Sequence, residues 1–281
     1  MSTHYPVDAL PGEEMQLPAE LRLQRAQTFD EIAELYDQGR REPPSWLYDT
    51  LFSSSGLDPV RTQILEIGCG TGKSTLPLAR RGCHVVALEM GANLARLARQ
   101  HLGAFPKVQI INARFEDWSA AEPFDLALAI TAWHWLDPVV RYQRAAAAMK
   151  AGAILAFSIS EHAFPPGYDP FFEQIQDGYE AIGVGRLPWP PPPPESIADA
   201  RAEIEQTGLF EDVRVIRRLW IEEFTADEHV ALMRTASDHQ LMEPVKREWL
   251  FDQMRRLIQT RPAGRIRKHN LTLLHLARRL P

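Results

Sequence analysis

The chain has 281 residues, 45% of them apolar and 24% charged, which is the balance of a folded protein long enough for one large α/β domain with elaborations. Its net charge of −6 argues against general nucleic-acid affinity. The two cysteines, Cys69 and Cys83, give neither a disulfide framework nor metal-ligand spacing, and there is no apolar leader and no run of about 18 apolar residues, so the sequence predicts a metal-free cytoplasmic protein without a membrane span.

Residues 1–20 read as a loose tail. Leu23–Gln38 reads as a helix, with Phe29, Ile32, Ala33 and Tyr36 at helical spacing. A turn through Arg40, Pro43 and Pro44 leads to a second helix, Ser45–Leu51. Ile64–Ile67 is a short apolar strand holding one carboxylate, Glu66. Gly68, Gly70 and Gly72 follow at alternate positions, and Ser74–Arg81 is helical, with Pro77 tolerated in its first turn. A strand, a glycine turn and a helix bring backbone N–H groups close to a ligand. Spacing separates the candidates. A phosphate loop ending at Gly72-Lys73-Ser74 would need glycine where Ile67 stands. A dinucleotide fingerprint would need its third glycine at Lys73.

The second strand, His84–Leu88, ends at Glu89, about 20 residues after the glycines, where a carboxylate suits a ribose hydroxyl pair. A helix at Ala92–His101 and a strand at Val108–Ile111 lead into the loop Asn112–Trp118. The fourth strand, Phe124–Ile130, runs into Thr131-Ala132-Trp133-His134-Trp135-Leu136-Asp137-Pro138. Ligands in open α/β sheets lie beyond the carboxyl ends of strands, so Trp133, His134 and Trp135 are expected at the site. Alternatively, Trp135 and Leu136 start the next helix and pack inward. Val139–Lys150 reads as an Ala-rich helix capped by Gly152, and Ala153–Ile159 as the fifth strand.

Beyond Ser160 the pattern changes. A helix is expected at Pro170–Ala181, then Leu187-Pro188-Trp189 with five prolines at 190–194 as a stiff extended crossing. A helix follows at Ser196–Gly208 and a sixth strand at Val213–Phe224. Thr225 and Glu228 form a capping box for a helix to about Ser237. A longer helix, Glu243–Gln259, presents Leu250, Phe251, Met254, Leu257 and Ile258 on one face. The last strand, Asn270–Ala277, is expected to be antiparallel. Charge is uneven: Lys246–Pro281 carries +8 and the remainder −14, which reads as a solvated helix face or as an end suited to an anionic substrate.

The run Glu66-Ile67-Gly68-Cys69-Gly70-Thr71-Gly72 resembles the first motif of the class I S-adenosylmethionine (SAM) methyltransferases. The Trp133-His134-Trp135-Leu136-Asp137 run is similar to that of a small-molecule group that includes trans-aconitate-type enzymes. The segment from Phe29 to Pro43, and the stretch Arg234–His239, resemble cap sequences of the same group. The resemblance implies a Rossmann-like, seven-stranded, mostly parallel sheet with an antiparallel last strand, helices on both faces and a helical cap. It implies a division into 1–55 (tail and cap), 56–160 (SAM-binding core) and 161–281, with a cap insertion at about 225–260. It assigns SAM to Glu66, Gly68, Cys69, Gly70, Thr71, Gly72, Glu89, Met90, Ala113, Arg114, Phe115, Glu116 and Thr131. The acid expected directly after the third strand is Asn112 here, which leaves that assignment open between Asn112 and Glu116. Tyr36, Arg40, Trp133, Trp135 and Trp189 are implied at the acceptor or cap, or Tyr36 as core and Arg40 as solvated.

The implied reaction is methyl transfer to an O or N atom of a small, partly apolar molecule with room for a carboxylate. A carboxylate nucleophile needs no base. A phenol or alcohol would use one, and His134 is the candidate because its ordinary value lies near neutrality. Two other readings stay open: a nicotinamide-dependent oxidoreductase, and a non-catalytic SAM-binding protein.

Overall fold

The computed structural model describes residues 19–186, 189 and 191–281. Residues 1–18 of the expected tail, and Leu187, Pro188 and Pro190 of the proline-rich crossing, lie outside the described residues. Helices α1 (Ala19–Glu31), α2 (Ala33–Gly39) and α3 (Ser45–Ser55) come first. Then follow β1 (Gln63–Ile67), α4 (Thr75–Arg80), β2 (His84–Glu89), α5 (Ala92–Leu102), β3 (Val108–Asn112), β4 (Phe124–Ile130), α6 (Arg141–Ala147) and β5 (Met149–His162), with only a 3-10 turn at Phe115–Asp117 between β3 and β4. The remainder is α7 (Phe171–Gln174), α8 (Gln176–Ala181), α9 (Arg201–Gln206), β6 (Phe210–Thr225), α10 (Ala226–Met233), α11 (Ser237–Gln240), α12 (Pro244–Gln259) and β7 (Arg265–Arg279).

The strands form one seven-stranded sheet in the order β3-β2-β1-β4-β5-β7-β6. Strands β1 to β5 pair in parallel, Ile64 facing Val85 on one side and Leu126 on the other. Four of the five residues of β1 are buried, as a central parallel strand covered on both faces requires. Strand β7 runs the other way. Ala163 N–H donates to the His269 carbonyl while Ser160 meets Thr272 further back along β5, and the Leu209 carbonyl, just before β6, accepts from Leu280, just past β7. The antiparallel last strand is therefore as expected.

By its contacts the chain forms two compact units. One contains 19–40, 161–198 and 218–271, and the other 41–160, 199–217 and 272–281. The second unit is built around Leu47, Tyr48 and Leu51 of α3, Ile64, Leu78, Val85, Leu126, Leu128, Leu274 and Leu276, all buried. Each such side chain contributes about 1.5–3 kcal/mol of burial energy. The first unit has its own core, in which Phe171, Ile175 and Tyr179 meet Phe224, Val230, Leu250, Phe251, Met254 and Ile258. The Thr225–Glu228 capping box starts α10 as expected, with both reciprocal bonds present.

Several boundaries differ from expectation. The single helix over Leu23–Gln38 is broken at Ile32, the one over Pro170–Ala181 at Ile175, and the one over Ser196–Gly208 is reduced to a turn at Pro194–Ser196 and α9. Helix α6 stops at Ala147 because Met149 already pairs with Phe124. Gly152 is therefore no helix cap. Its φ of +75° takes the extra residues of a bulge, after which Ile154 resumes pairing with Leu126.

Candidate functional site

The carboxyl ends of β1, β2, β3 and β4 lie side by side in the second unit and bring together most of the expected residues. Gly68, Gly70 and Gly72 have φ of +72°, +58° and +86°, a region that L side chains avoid. Two also have no room for a side chain. A Cβ on Gly68 would lie 2.7 Å from the Ala132 Cβ, and one on Gly72 would lie 2.8 Å from Leu102 Cδ1. The glycine turn is thus pressed against the turn that follows β4 on one side and against α5 on the other. Gly68 and Cys69 donate their amides to the Leu88 carbonyl, and Tyr48 on α3 donates its hydroxyl to the Ser74 carbonyl at 2.8 Å.

Glu66 is fully buried at the end of β1, and neither carboxylate oxygen has a hydrogen-bond partner. Burial raises its carboxyl above the ordinary range and the charge of Glu89 adds to this, while the nearby Ser74 and Thr75 hydroxyls oppose it without closing a hydrogen bond. Thr71 and Thr75 also bury hydroxyls that lack partners. Burial, Glu66 and Glu89 push the Cys69 thiol well up, so it is a packing group and no nucleophile. Glu89 is 6% exposed, and its two oxygens accept from the Gly70 and Gly91 amides at 2.8 Å each. A carboxylate only accepts hydrogen bonds, which is the residue type that hydroxyl donors need.

Asn112 braces this rim, its amide donating to the carbonyls of Glu89 (2.9 Å) and Met90 (3.0 Å). Ala113 donates to the Glu89 carbonyl, Phe115 is buried in a short 3-10 turn, and Arg114 is exposed. Glu116 accepts from the Asp137 amide at 3.1 Å and so joins the loop after β3 to the segment after β4. Thr131 closes β4 with φ +50°, costly for a β-branched residue. Trp133–Trp135 is one 3-10 turn rather than the start of a helix.

Trp133, expected at the acceptor, has no exposed surface and stacks on Phe157 at 4.9 Å. Trp135 is half-buried beside His134, ring centres 4.8 Å apart. Burial and the Arg141 charge push the His134 imidazole down to about 4, away from the near-neutral value expected of it. Tyr36, Arg40 and Trp189 belong to the first unit. Arg40 lies over the Tyr36 ring and donates to Thr235 at 2.7 Å, and the Trp189 indole donates to Tyr168 at 2.9 Å. Sequence reasoning missed Tyr48, Arg141 and Glu203. A cation in an Ala-rich helix reads as solvated, and only the fold shows Arg141 to be 2% exposed.

Among the described residues no cluster of three or more His, Cys, Asp or Glu could hold a metal, and no helix is long and apolar enough to cross a membrane. The residues fit SAM: a buried carboxylate without a partner for an ammonium, a cradle that a Cβ would fill, and a second carboxylate for hydroxyls.

Residues 64–152 match the family model of a methyltransferase domain. A trans-aconitate 2-methyltransferase of Afipia carboxidovorans is 29% identical over 109 residues, which is 38% of this chain and 41% of that protein. The chain thus spans less than half the length of the curated relatives it matches first. Among solved structures, a candidate type II methyltransferase of Anaeromyxobacter dehalogenans superposes with a TM-score of 0.60 at 20% identity, over 86% of this chain and 99% of that one. A phosphoethanolamine N-methyltransferase of Haemonchus contortus, in complex with S-adenosylhomocysteine, gives 0.53 at 15% identity over 94% and 61%. Residues 64–152 are thus similar to a methyltransferase domain, and the chain is similar to SAM-dependent methyltransferases of the trans-aconitate type.

Proposed function

We propose that the protein is a SAM-dependent methyltransferase acting on an O or N atom of a small, partly apolar molecule that carries a carboxylate. The observation that carries this reading is the buried, unpartnered Glu66 carboxylate beneath a glycine turn whose far rim Glu89 holds. When bound, SAM supplies a methyl group on a sulfonium whose thioether leaves without needing an acid. Glu66 answers the ammonium, the side-chain-free glycine turn lets the amino-acid end pass close to the backbone, Glu89 takes the ribose hydroxyls, and Phe115 walls the flat ring. The Thr131–Trp135 turn then orients the acceptor, and alignment at about 3–3.5 Å is the main task left to the protein.

An imidazole at about 4 is uncharged at neutral pH but is a weak base for a phenol near 10. His134 is better suited to hold an acceptor than to deprotonate it. That favours an acceptor already ionised at neutral pH, such as a carboxylate, and the relatives named for trans-aconitate point the same way. A nicotinamide enzyme is disfavoured by Lys73 at the third glycine position. A non-catalytic role loses one support, since Trp133 packs into the core instead of plugging the site. Calorimetric titration with SAM and with NAD, followed by turnover on a panel of carboxylates and phenols, tests the reading. SAM binding with methyl ester formation is expected. NAD binding without SAM binding would overturn it.

A further inference from the structure

The backbone of the turn that carries His134 is held by a buried cation. Arg141 on α6 is 2% exposed, and its Nη1 donates to the Trp133 carbonyl at 3.0 Å. Its Nη2 donates to Glu203 on α9, and the guanidinium lies over the rings of Trp133 (5.7 Å) and Tyr142 (5.4 Å). A buried guanidinium is tolerated only where fixed partners replace water. A second connection ends at the same place. Trp133 stacks on Phe157, Phe157 stacks on His275 at 4.4 Å, and His275 Nε2 accepts from the Ala200 amide at 3.0 Å, just before α9. The turn adjoins the glycine loop through Ala132 and Gly68.

We propose that Arg141 is a positioning residue for the acceptor end of the site: by dividing its guanidinium between the Trp133 carbonyl and the Glu203 carboxylate, it fixes the Trp133–Trp135 turn and with it the place of the His134 imidazole. The catalytic consequence rests on the methyltransferase reading; the structural one does not. The charged and titratable groups placed against the turn include Arg141 and Tyr142 on α6, Glu203 on α9 through Arg141, and Glu116, which accepts from the Asp137 amide just past the turn.

Arg141→Met and Arg141→Lys in the full chain test this. In the Met variant the His134 titration, followed by NMR with His134→Ala as the assignment, rises from about 4 but stays below the ordinary value, because burial, the larger cause, remains. The Lys variant keeps the charge but cannot fork, so its titration stays low. In both variants the Trp135 and Leu136 amides, which close the turn, exchange about tenfold faster or more. In both, kcat falls about tenfold or more while the KM for SAM stays within about threefold. A folded Met variant with an unmoved titration overturns the proposal, as do unchanged exchange or unchanged kcat in the Lys variant. Should the Met variant not fold, the Lys variant decides alone. Failure of the unaltered protein to bind SAM would refute the methyltransferase reading instead and leave the titration and exchange tests standing.

Discussion

Gly68→Ala is the substitution that the glycine turn opposes most directly. Gly68 has φ +72°, and its new Cβ would lie 2.7 Å from the Ala132 Cβ, a rigid methyl on the turn after β4. Two costs are expected: about 1–2 kcal/mol for a left-handed L residue and about 1–3 kcal/mol for the overlap. Gly152→Ala separates them. Its φ is +75°, nearly the same, but nothing lies within 4 Å of the added Cβ. It should lose only the first amount. The difference of about 1–3 kcal/mol corresponds to about 2–12 °C in Tm for a chain of this size. Relief of the overlap must move either the glycine turn or the Thr131–Trp135 turn, so the Kd for SAM should rise about tenfold or more in Gly68→Ala and stay level in Gly152→Ala. Differential scanning fluorimetry and calorimetric titration read both. Equal Tm losses in the two variants, or normal SAM binding by Gly68→Ala, would refute the reasoning.

Glu66→Gln should raise the Tm of the free protein at neutral pH, because burial keeps the folded carboxyl above its unfolded value and its ionisation opposes folding increasingly as pH rises from about 4.5. The same change should weaken SAM binding about tenfold or more, as expected for loss of a charge-assisted bond; a variant that binds SAM normally would remove Glu66 from the site. His134→Ala should lower turnover of a carboxylate acceptor through positioning while leaving the pH–rate profile flat between about 5.5 and 8; a lost limb near 6.5 would restore the general-base role. His229 is buried in the first unit and pushed down to about 3, so the unfolded chain gains a proton there before the folded one does. Its contribution to stability is complete above about 6.5 and is lost as pH falls toward 3. His229→Leu should therefore flatten the acid limb of stability by about one proton, or about 1.4 kcal/mol per pH unit, between pH 6 and 4.5; an unchanged slope by urea titration would refute the assignment.

The parallel pairing of the first five strands was legible because most of them alternate with helices and three end at a recognisable signal: Gly68 after β1, Glu89 closing β2, Thr131 after β4. Parallel pairing needs such crossovers, so local pattern and global topology carry the same information there. The limits appear where tertiary pairing overrides local propensity. Residues 148–150 are good helix formers, yet Met149 faces Phe124 across the sheet, and the gain from pairing ends α6 early. The donor side of the site was legible in its glycines and acids. The acceptor side was not: nothing local distinguishes a Trp133 stacked on Phe157 from a Trp133 lining a pocket, and the near-neutral value assumed for His134 ignored a cation seven residues along the chain. Both facts depend on the way α6 and β5 pack beneath the turn.

Where the chain departs from what favours stability bears on where it works. Glu66 holds an unpartnered carboxylate with no exposed surface. Gly68 gives up a side chain and adopts a left-handed conformation against Ala132. Thr131, β-branched, has φ +50°. Among the described residues the other non-glycine positions with positive φ, Asp212 and Ala263, are exposed and lie on β6 and in the turn before β7. The first three sit together at the carboxyl ends of β1 and β4, two strands paired through Ile64 and Leu126. Strain and unpaired buried charge concentrate at binding sites, and a bound partner can offset them there, so we read these three residues as pointers to the ligand. On the proposed reading Glu66 answers a cation, the glycine turn a ligand that passes close to the backbone, and Thr131 an atom close to the end of β4. The first two suit the amino-acid end of SAM in the function proposed above. The third marks the place, next to the Trp133–Trp135 turn held by Arg141, at which acceptor selection should be sought by mutation.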